Sequence, residues 1–186
     1  MRYKAGLETR DKILDATRSA IAEVGLEGTT IKEICERAGV LPGSFYNQFD
    51  SKEQAVITVV RGAIEAVDPD PDHLGKDTLG DLVEAYITFV TEQTDLARVY
   101  IGIAVLGSSN NSELRGRMLR HHEGRVARFA NAIQREHPDM AGAELRRRAE
   151  TLVSALNGIA LHRVLDNDFD IATHSRALLS GALNPL

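Results

Sequence analysis

The chain has 186 residues, 43% hydrophobic and 26% charged, the bulk of one domain or of a small head on a larger body, and is neither disordered nor fibrous in composition. Its net charge of −5 argues against coating nucleic acid by bulk charge, though not against local recognition. A single cysteine, Cys35, excludes a disulfide framework, a paired-cysteine redox motif and any multi-cysteine zinc site, so no cofactor or structural metal is expected. The longest apolar run, residues 99–106, is far short of the about 20 residues that cross a bilayer. Residues 1–8 lack the apolar stretch of a secretory signal, so a cytoplasmic protein with no membrane partner is expected.

Helical periodicity dominates and no alternating run is bounded by hairpin turns, which predicts an all-α fold of about nine helices. The start is locally basic, and Arg2 and Lys4 suit an arm lying on phosphates. In the first helix Ile13, Leu14, Ala20, Ile21 and Val24 form one stripe that stops at Gly25 and Gly28. Thr17 interrupts it, but its hydroxyl can bond back to the Ile13 carbonyl. Thr30 and Glu33 have the spacing of a capping box, with the hydroxyl accepting from the Glu33 amide while the carboxylate reaches back. A short second helix runs to about residue 38, where Gly39 ends it. Pro42 sits where a first turn tolerates the missing amide, so a third short helix runs through about residue 49. Ser51 to Gln54 repeats the capping-box spacing and opens a fourth helix with Val56, Val59, Val60, Ala63, Ile64 and Val67 on its stripe.

Asp68-Pro69-Asp70-Pro71-Asp72 cannot continue that helix. This break divides the chain into a head at 1–67 and a larger helical domain at 68–186. The head carries 9 basic and 10 acidic side chains and the remainder 13 and 17, so the excess acid lies in the second part. Beyond the break come a stripe of Leu79, Leu82, Val83, Tyr86, Ile87 and Val90, then a buried helix at about 96–106. A longer helix capped by Asn110, Asn111 or Ser112 ends before Pro138, and two more cover about 142–165 and 171–183.

Two short helices joined by a glycine-bearing turn and backed by a longer helix form a helix-turn-helix, which lays its second member in a DNA major groove. The string Thr29-Thr30-Ile31-Lys32-Glu33-Ile34-Cys35-Glu36-Arg37-Ala38-Gly39-Val40, then Gly43-Ser44-Phe45-Tyr46-Asn47-Gln48-Phe49 and Ser51-Lys52-Glu53, resembles the DNA-binding head of the TetR/AcrR family of one-component transcriptional repressors over roughly residues 8–67. The resemblance implies a double-stranded DNA operator and a phosphate contact for Lys52. On its own, a cation in a first helical turn is unfavourable, a sign that a nearby phosphate reverses. Gly43 costs about 0.5–1 kcal/mol inside a helix relative to alanine. That cost suits either close approach to a DNA backbone or simple turn flexibility. Tyr46 can offer a ring to the core and a hydroxyl to a phosphate, whereas Phe45 and Phe49 read as core. Asn47 and Gln48 can pair with adenine or be merely solvated. Ser44 and Thr30 suit phosphate. The family often has serine or threonine where Leu41 stands, so roughly 1 kcal/mol of capping is forfeited. An apolar side chain there can touch a thymine methyl instead.

A half-site reader gains specificity from a two-fold mate, so a homodimer is expected. Leu152, Val153, Leu156, Ile159, Ala160, Leu161, Leu178, Leu179 and Leu183 spread wider than one stripe, so one flank of the last two helices can face a partner. Leu156-Asn157-Gly158-Ile159-Ala160-Leu161 is also loosely similar to the ligand domain of choline-sensing TetR-type repressors. The resemblance implies a small-molecule effector that releases DNA. Tyr86, Phe89, Tyr100, Ile103, Met118, His122, Arg125 and Phe129 offer an apolar wall with a few polar groups, or ordinary core. Arg125 favours an anionic effector if it points inward. An enzyme is not expected, because no metal-ligating, Gly-x-Gly or phosphate-loop spacing is present. The rival reading is a helical protein-interaction module that has lost DNA binding.

Overall fold

The computed structural model describes residues 2–72, 74–104 and 112–182, with the side chains of residues 2–5, 112–114 and 182 left aside. Among the described residues it contains nine helices and no strand. The helices are α1 (Arg2–Gly28), α2 (Ile31–Ala38), α3 (Pro42–Tyr46), α4 (Lys52–Glu65), α5 (Leu79–Glu92), α6 (Thr94–Gly102), α7 (Ser112–Glu136), α8 (Gly142–Leu165) and α9 (Ile171–Ala182). The chain forms two compact units, Met1–Ala63 and Ile64–Leu186.

In the first unit, Ile13 and Ala16 of α1, Ile34 and Cys35 of α2, Phe45 and Phe49 around α3, and Ala55 of α4 close one core. Cys35 behaves as a small buried hydrophobe, and burial pushes its thiol pKa up, away from a reactive thiolate. Thr17 is fully buried and its hydroxyl donates to the Ile13 carbonyl at 2.7 Å, as its mid-helix position requires. Val24 leaves the predicted stripe and is exposed, because Gly25 adopts φ 69° and turns the chain out of the helix one residue later. Thr29 then closes the kinked end, its hydroxyl donating to the Gly25 carbonyl at 2.7 Å. Gly39 ends α2 in the left-handed conformation, with its amide and cap geometry satisfying late α2 carbonyls.

The box at Thr30 is only half formed. Its hydroxyl accepts from the Glu33 amide at 3.1 Å, but the Glu33 carboxylate turns to Arg37, 2.7 Å away, since a guanidinium is a stronger partner than a backbone amide. Arg37 also reaches Glu23 at 2.7 Å and thereby ties α2 to α1. At α4 the Gln54 amide donates to the Ser51 hydroxyl, while the Gln54 side-chain carbonyl accepts from the Asp50 amide rather than from Ser51.

In the second unit, α5 contributes Leu79, Leu82, Val83 and Ile87, α7 contributes Val126, Phe129, Ala132 and Ile133, and α8 contributes Ala149, Leu152, Val153 and Leu156 to one core. Thr78 and Asp81 form a complete reciprocal capping box that opens α5, a signal the sequence reading passed over. α3 is shorter than predicted, ending at Tyr46, and α6 is described as α-helix only to Gly102. The predicted extension to residue 106, the caps at Asn110 and Asn111, and Leu183 lie outside the described residues.

The segment after α4 is not a loose connector. Asp70 is buried, and its carboxylate accepts from the amides of Leu74 at 2.8 Å and Gly75 at 2.6 Å. Arg128 of α7 grips Asp68 with both terminal nitrogens, at 2.7 and 2.5 Å, and donates from Nε to Asp77 at 2.6 Å. Arg135 bonds both the side chain and the carbonyl of Asp77. Asp68, from the string that breaks the helix in sequence, and Asp77 beyond it therefore fasten this segment to α7, while Asp70 holds the turn itself.

Candidate functional site

The surface of α3 presents the predicted contact residues. Leu41 caps the helix without a side-chain hydrogen bond and is 77% exposed, and Pro42 stands at the first turn, where no amide is missed. Gly43 and Asn47 are exposed beside them, and Ser44 is half-buried. Tyr46 is 57% exposed, held by an edge contact of its ring with buried Phe45 at 5.7 Å between centroids. Its hydroxyl end thus faces outward from an anchored ring.

No atom of the protein explains the glycine at 43. Its φ is not positive, and a Cβ built there meets nothing within 4 Å. Neither backbone strain nor internal packing demands the missing side chain.

Gln48 is half-buried, and its Nε2 lies 3.9 Å from where a Cβ on Gly6 would sit, so it leans on α1 rather than standing clear. Thr30 is exposed, but one of its acceptor sites is used by the Glu33 amide. Arg2 and Lys4 belong to the first turn of α1, and their side chains lie outside the described residues. Lys52 is placed differently from a free surface lysine. It is half-buried, and its Nζ donates to the carbonyls of Leu26 at 3.0 Å and Thr29 at 2.9 Å. The unfavourable position at the start of α4 is offset by these two carbonyls, which follow the kink at Gly25 and accept from the ammonium directly. One of its three ammonium protons remains for another acceptor.

In the second unit a cavity of about 110 Å³ is lined by residues that include Ile64, Leu82, Tyr86, Phe89, Tyr100, Arg125, Arg128, Phe129 and Asn157. Five of the eight predicted effector-contact residues, Tyr86, Phe89, Tyr100, Arg125 and Phe129, therefore meet around one space. Met118 and His122 line a neighbouring cleft, which Tyr100 also borders. Ile103 is buried and borders neither.

Arg125 points inward. Its Nη1 donates to Asn157 Oδ1 at 3.0 Å and its guanidinium lies 5.7 Å from the Tyr86 ring centroid. The Tyr86 hydroxyl donates to the Leu156 carbonyl at 2.6 Å, and burial pushes its pKa up, so it stays a neutral phenol. Asn157 and Arg128 were missed as lining residues. Asn157 had a legible signal, a lone amide in an otherwise apolar run, whereas Arg128 had none because its partners lie 51 and 60 residues away.

Residues 13–57 match the family model described as bacterial regulatory proteins, tetR family. Over those residues the head is similar to the TetR family. Relatives of this TetR-type head include the HTH-type transcriptional repressor KstR2 of Rhodococcus jostii, 43% identical over 56 residues, which are 30% of this chain and 28% of that one. The HTH-type transcriptional regulator UidR of Escherichia coli is 35% identical over 52 residues, 28% of this chain and 26% of its own. The chain thus spans little more than a quarter of the length of the curated relatives it matches.

Solved structures extend the likeness to the whole fold. The fatty acid degradation regulator FadR from Bacillus halodurans superposes with a TM-score of 0.73 at 21% identity, over 96% of both chains. FadR from Bacillus subtilis in complex with stearoyl-CoA gives 0.68 at 20% identity, over 94% of this chain and 98% of that one. A complex of SmeT with triclosan gives 0.69 at 20% identity, over 94% and 90%. The matched proteins are named as transcriptional repressors and regulators. Among the described residues no helix is long and apolar enough to cross a membrane, and no group of three or more histidine, cysteine or carboxylate side chains could hold a metal ion.

Proposed function

We propose that this chain is a homodimeric, effector-responsive repressor that reads a palindromic operator through the exposed face of α3 and is released from it by a small molecule bound in the second unit. The observation that carries the reading is the face itself: Leu41, Pro42, Gly43, Tyr46 and Asn47 are all exposed on the second member of a TetR-type helix-turn-helix, with Gly43 left bare for no internal reason. Tyr46 and Ser44 hold phosphates, with Thr30, Lys52, Arg2 and Lys4 beside them, while Asn47, Gln48 and Leu41 face base edges.

Two observations support the effector half. The cavity collects the polar groups Tyr86, Asn157 and Arg125 within apolar walls, the usual make-up of a small-molecule site. Similar folds hold stearoyl-CoA in FadR from Bacillus subtilis and triclosan in SmeT. Arg128 lines the same cavity and grips Asp68, three residues past the end of α4, so occupancy of the cavity is felt at the helix that leads back to the head.

The test is selection of bound DNA from a random duplex library by the purified chain, followed by fluorescence anisotropy of the winner at several salt concentrations. A palindrome with a steep negative salt slope is expected. Enrichment of no sequence, with or without candidate effectors, overturns the proposal in favour of a helical protein-interaction module.

A further inference from the structure

Resting on the reading that the second unit takes an effector, we propose that the effector is a small apolar monoanion, a carboxylate on a body no larger than a benzene ring or a short alkyl chain, with Arg125 as its receptor.

The charge argument comes from the two arginines that line the cavity. Arg128 is already neutralised, with Asp68 at 2.5 and 2.7 Å and Asp77 at 2.6 Å. Arg125 is not: its partners are the neutral Asn157 amide at 3.0 Å and the Tyr86 ring at 5.7 Å, and among the described residues no carboxylate pairs with it. A guanidinium carries five N–H donors, and one hydrogen bond to Asn157 leaves several of them without a fixed acceptor in walls that are mostly aliphatic or aromatic. A carboxylate accepts two parallel N–H bonds from such a fork and cancels its charge, which a neutral ligand cannot do. The Tyr86 hydroxyl, already donating to Leu156, does not compete for that acceptor.

Size follows from volume. The cavity of about 110 Å³ is smaller than the roughly 150 Å³ apolar cavity that holds a benzene molecule, so a ring or short chain fills it while the carboxylate rests at the arginine. A long acyl chain exceeds this space and would have to run on into the neighbouring cleft, which Tyr100, Ile101 and Asn157 also border.

Calorimetric titration of the full chain with benzoate and hexanoate, against their neutral counterparts benzamide and hexanamide and against palmitate, tests both parts. The carboxylates are expected to bind at least about tenfold more tightly than the amides, as charge-assisted hydrogen bonds require. Arg125→Met should erase that preference while leaving amide binding and helical circular dichroism unchanged, and Arg125→Lys should restore part of it. Equal affinity for acid and amide, or a preference that survives Arg125→Met, overturns the charge assignment. Tight binding of palmitate with none of hexanoate overturns the size assignment. No binding of any probe overturns the inference together with the effector cavity. Carboxylate binding that fails to release operator DNA leaves the inference standing and removes the release mechanism alone.

Discussion

At the scale of single residues, the informative positions are those whose chemistry the protein itself does not use. Gly43 is one: alanine there should raise the melting temperature of the head, by about 0.5–1 kcal/mol of stability, because a Cβ meets nothing and the helix gains propensity. If the proposed interface holds, the same variant should bind operator DNA more weakly, read by anisotropy, since a Cβ there would stand between the helix backbone and the DNA. Higher stability with unchanged affinity would mean that glycine at 43 serves no contact. Lys52 is the opposite case, a side chain with an internal task. Lys52→Ala should lower the melting temperature by roughly 1 kcal/mol in stability, because two carbonyls near the end of α1 lose their donor. Through the remaining proton it should also reduce the salt slope of DNA binding by about one. A lowered melting temperature with an unaltered slope leaves Lys52 as a strap between α1 and α4 only. The sequence could show that this lysine sits at a helix start, but the carbonyls it reaches are 23 and 26 residues away and had no signature there.

At the scale of elements, helix identities were legible because caps and stripes are local, while the ends were decided by competition. Gly25 turns the chain before Val24 can complete its stripe, and Arg37 draws Glu33 away from its box. The segment between α4 and α5 shows the same limit more strongly. Its prolines predict a break, and a break is present, but only the fold supplies Arg128 and Arg135 to hold its aspartates. Burial raises the Asp70 carboxyl, yet the amides of Leu74, Gly75 and Lys76 outweigh this and hold its pKa below the ordinary aspartate value. A carboxyl lowered in the folded state contributes stability that is present above its unfolded pKa and is lost as pH falls through the folded one. Urea unfolding midpoints of the second unit should therefore fall on acidification through and below the ordinary aspartate range, with a shallower fall in Asp70→Asn. Identical pH profiles for the two proteins would rule out Asp70 as a contributor to acid sensitivity.

At the scale of the molecule, the proposed dimer depends on which apolar side chains the subunit leaves unburied. Of the broad apolar set on α8, Leu152, Val153, Leu156 and Ala160 are the flank that faces the core of one chain. What α8 leaves outside is a stripe of Gly158, Leu161, His162 and Leu165, with Leu161 43% and Leu165 78% exposed. The two exposed leucines, four residues apart on one face, are the part of α8 that the proposed dimer would cover. The double variant Leu161→Glu, Leu165→Glu should sediment as a monomer with unchanged helical content and should lose affinity for a palindromic operator. A dimer that persists in sedimentation places the interface elsewhere. The sequence by itself determined the all-helical fold, the helix-turn-helix and its third helix, because periodicity, capping and turn glycines act within a few residues along the chain. Tertiary structure alone decided that Arg125 faces inward with no counter-charge among the described residues, that Arg128 is bound to Asp68, and that half of the broad α8 face is core. Those facts depend on residues 30 to 60 positions apart being brought into contact, and no local pattern encodes that distance.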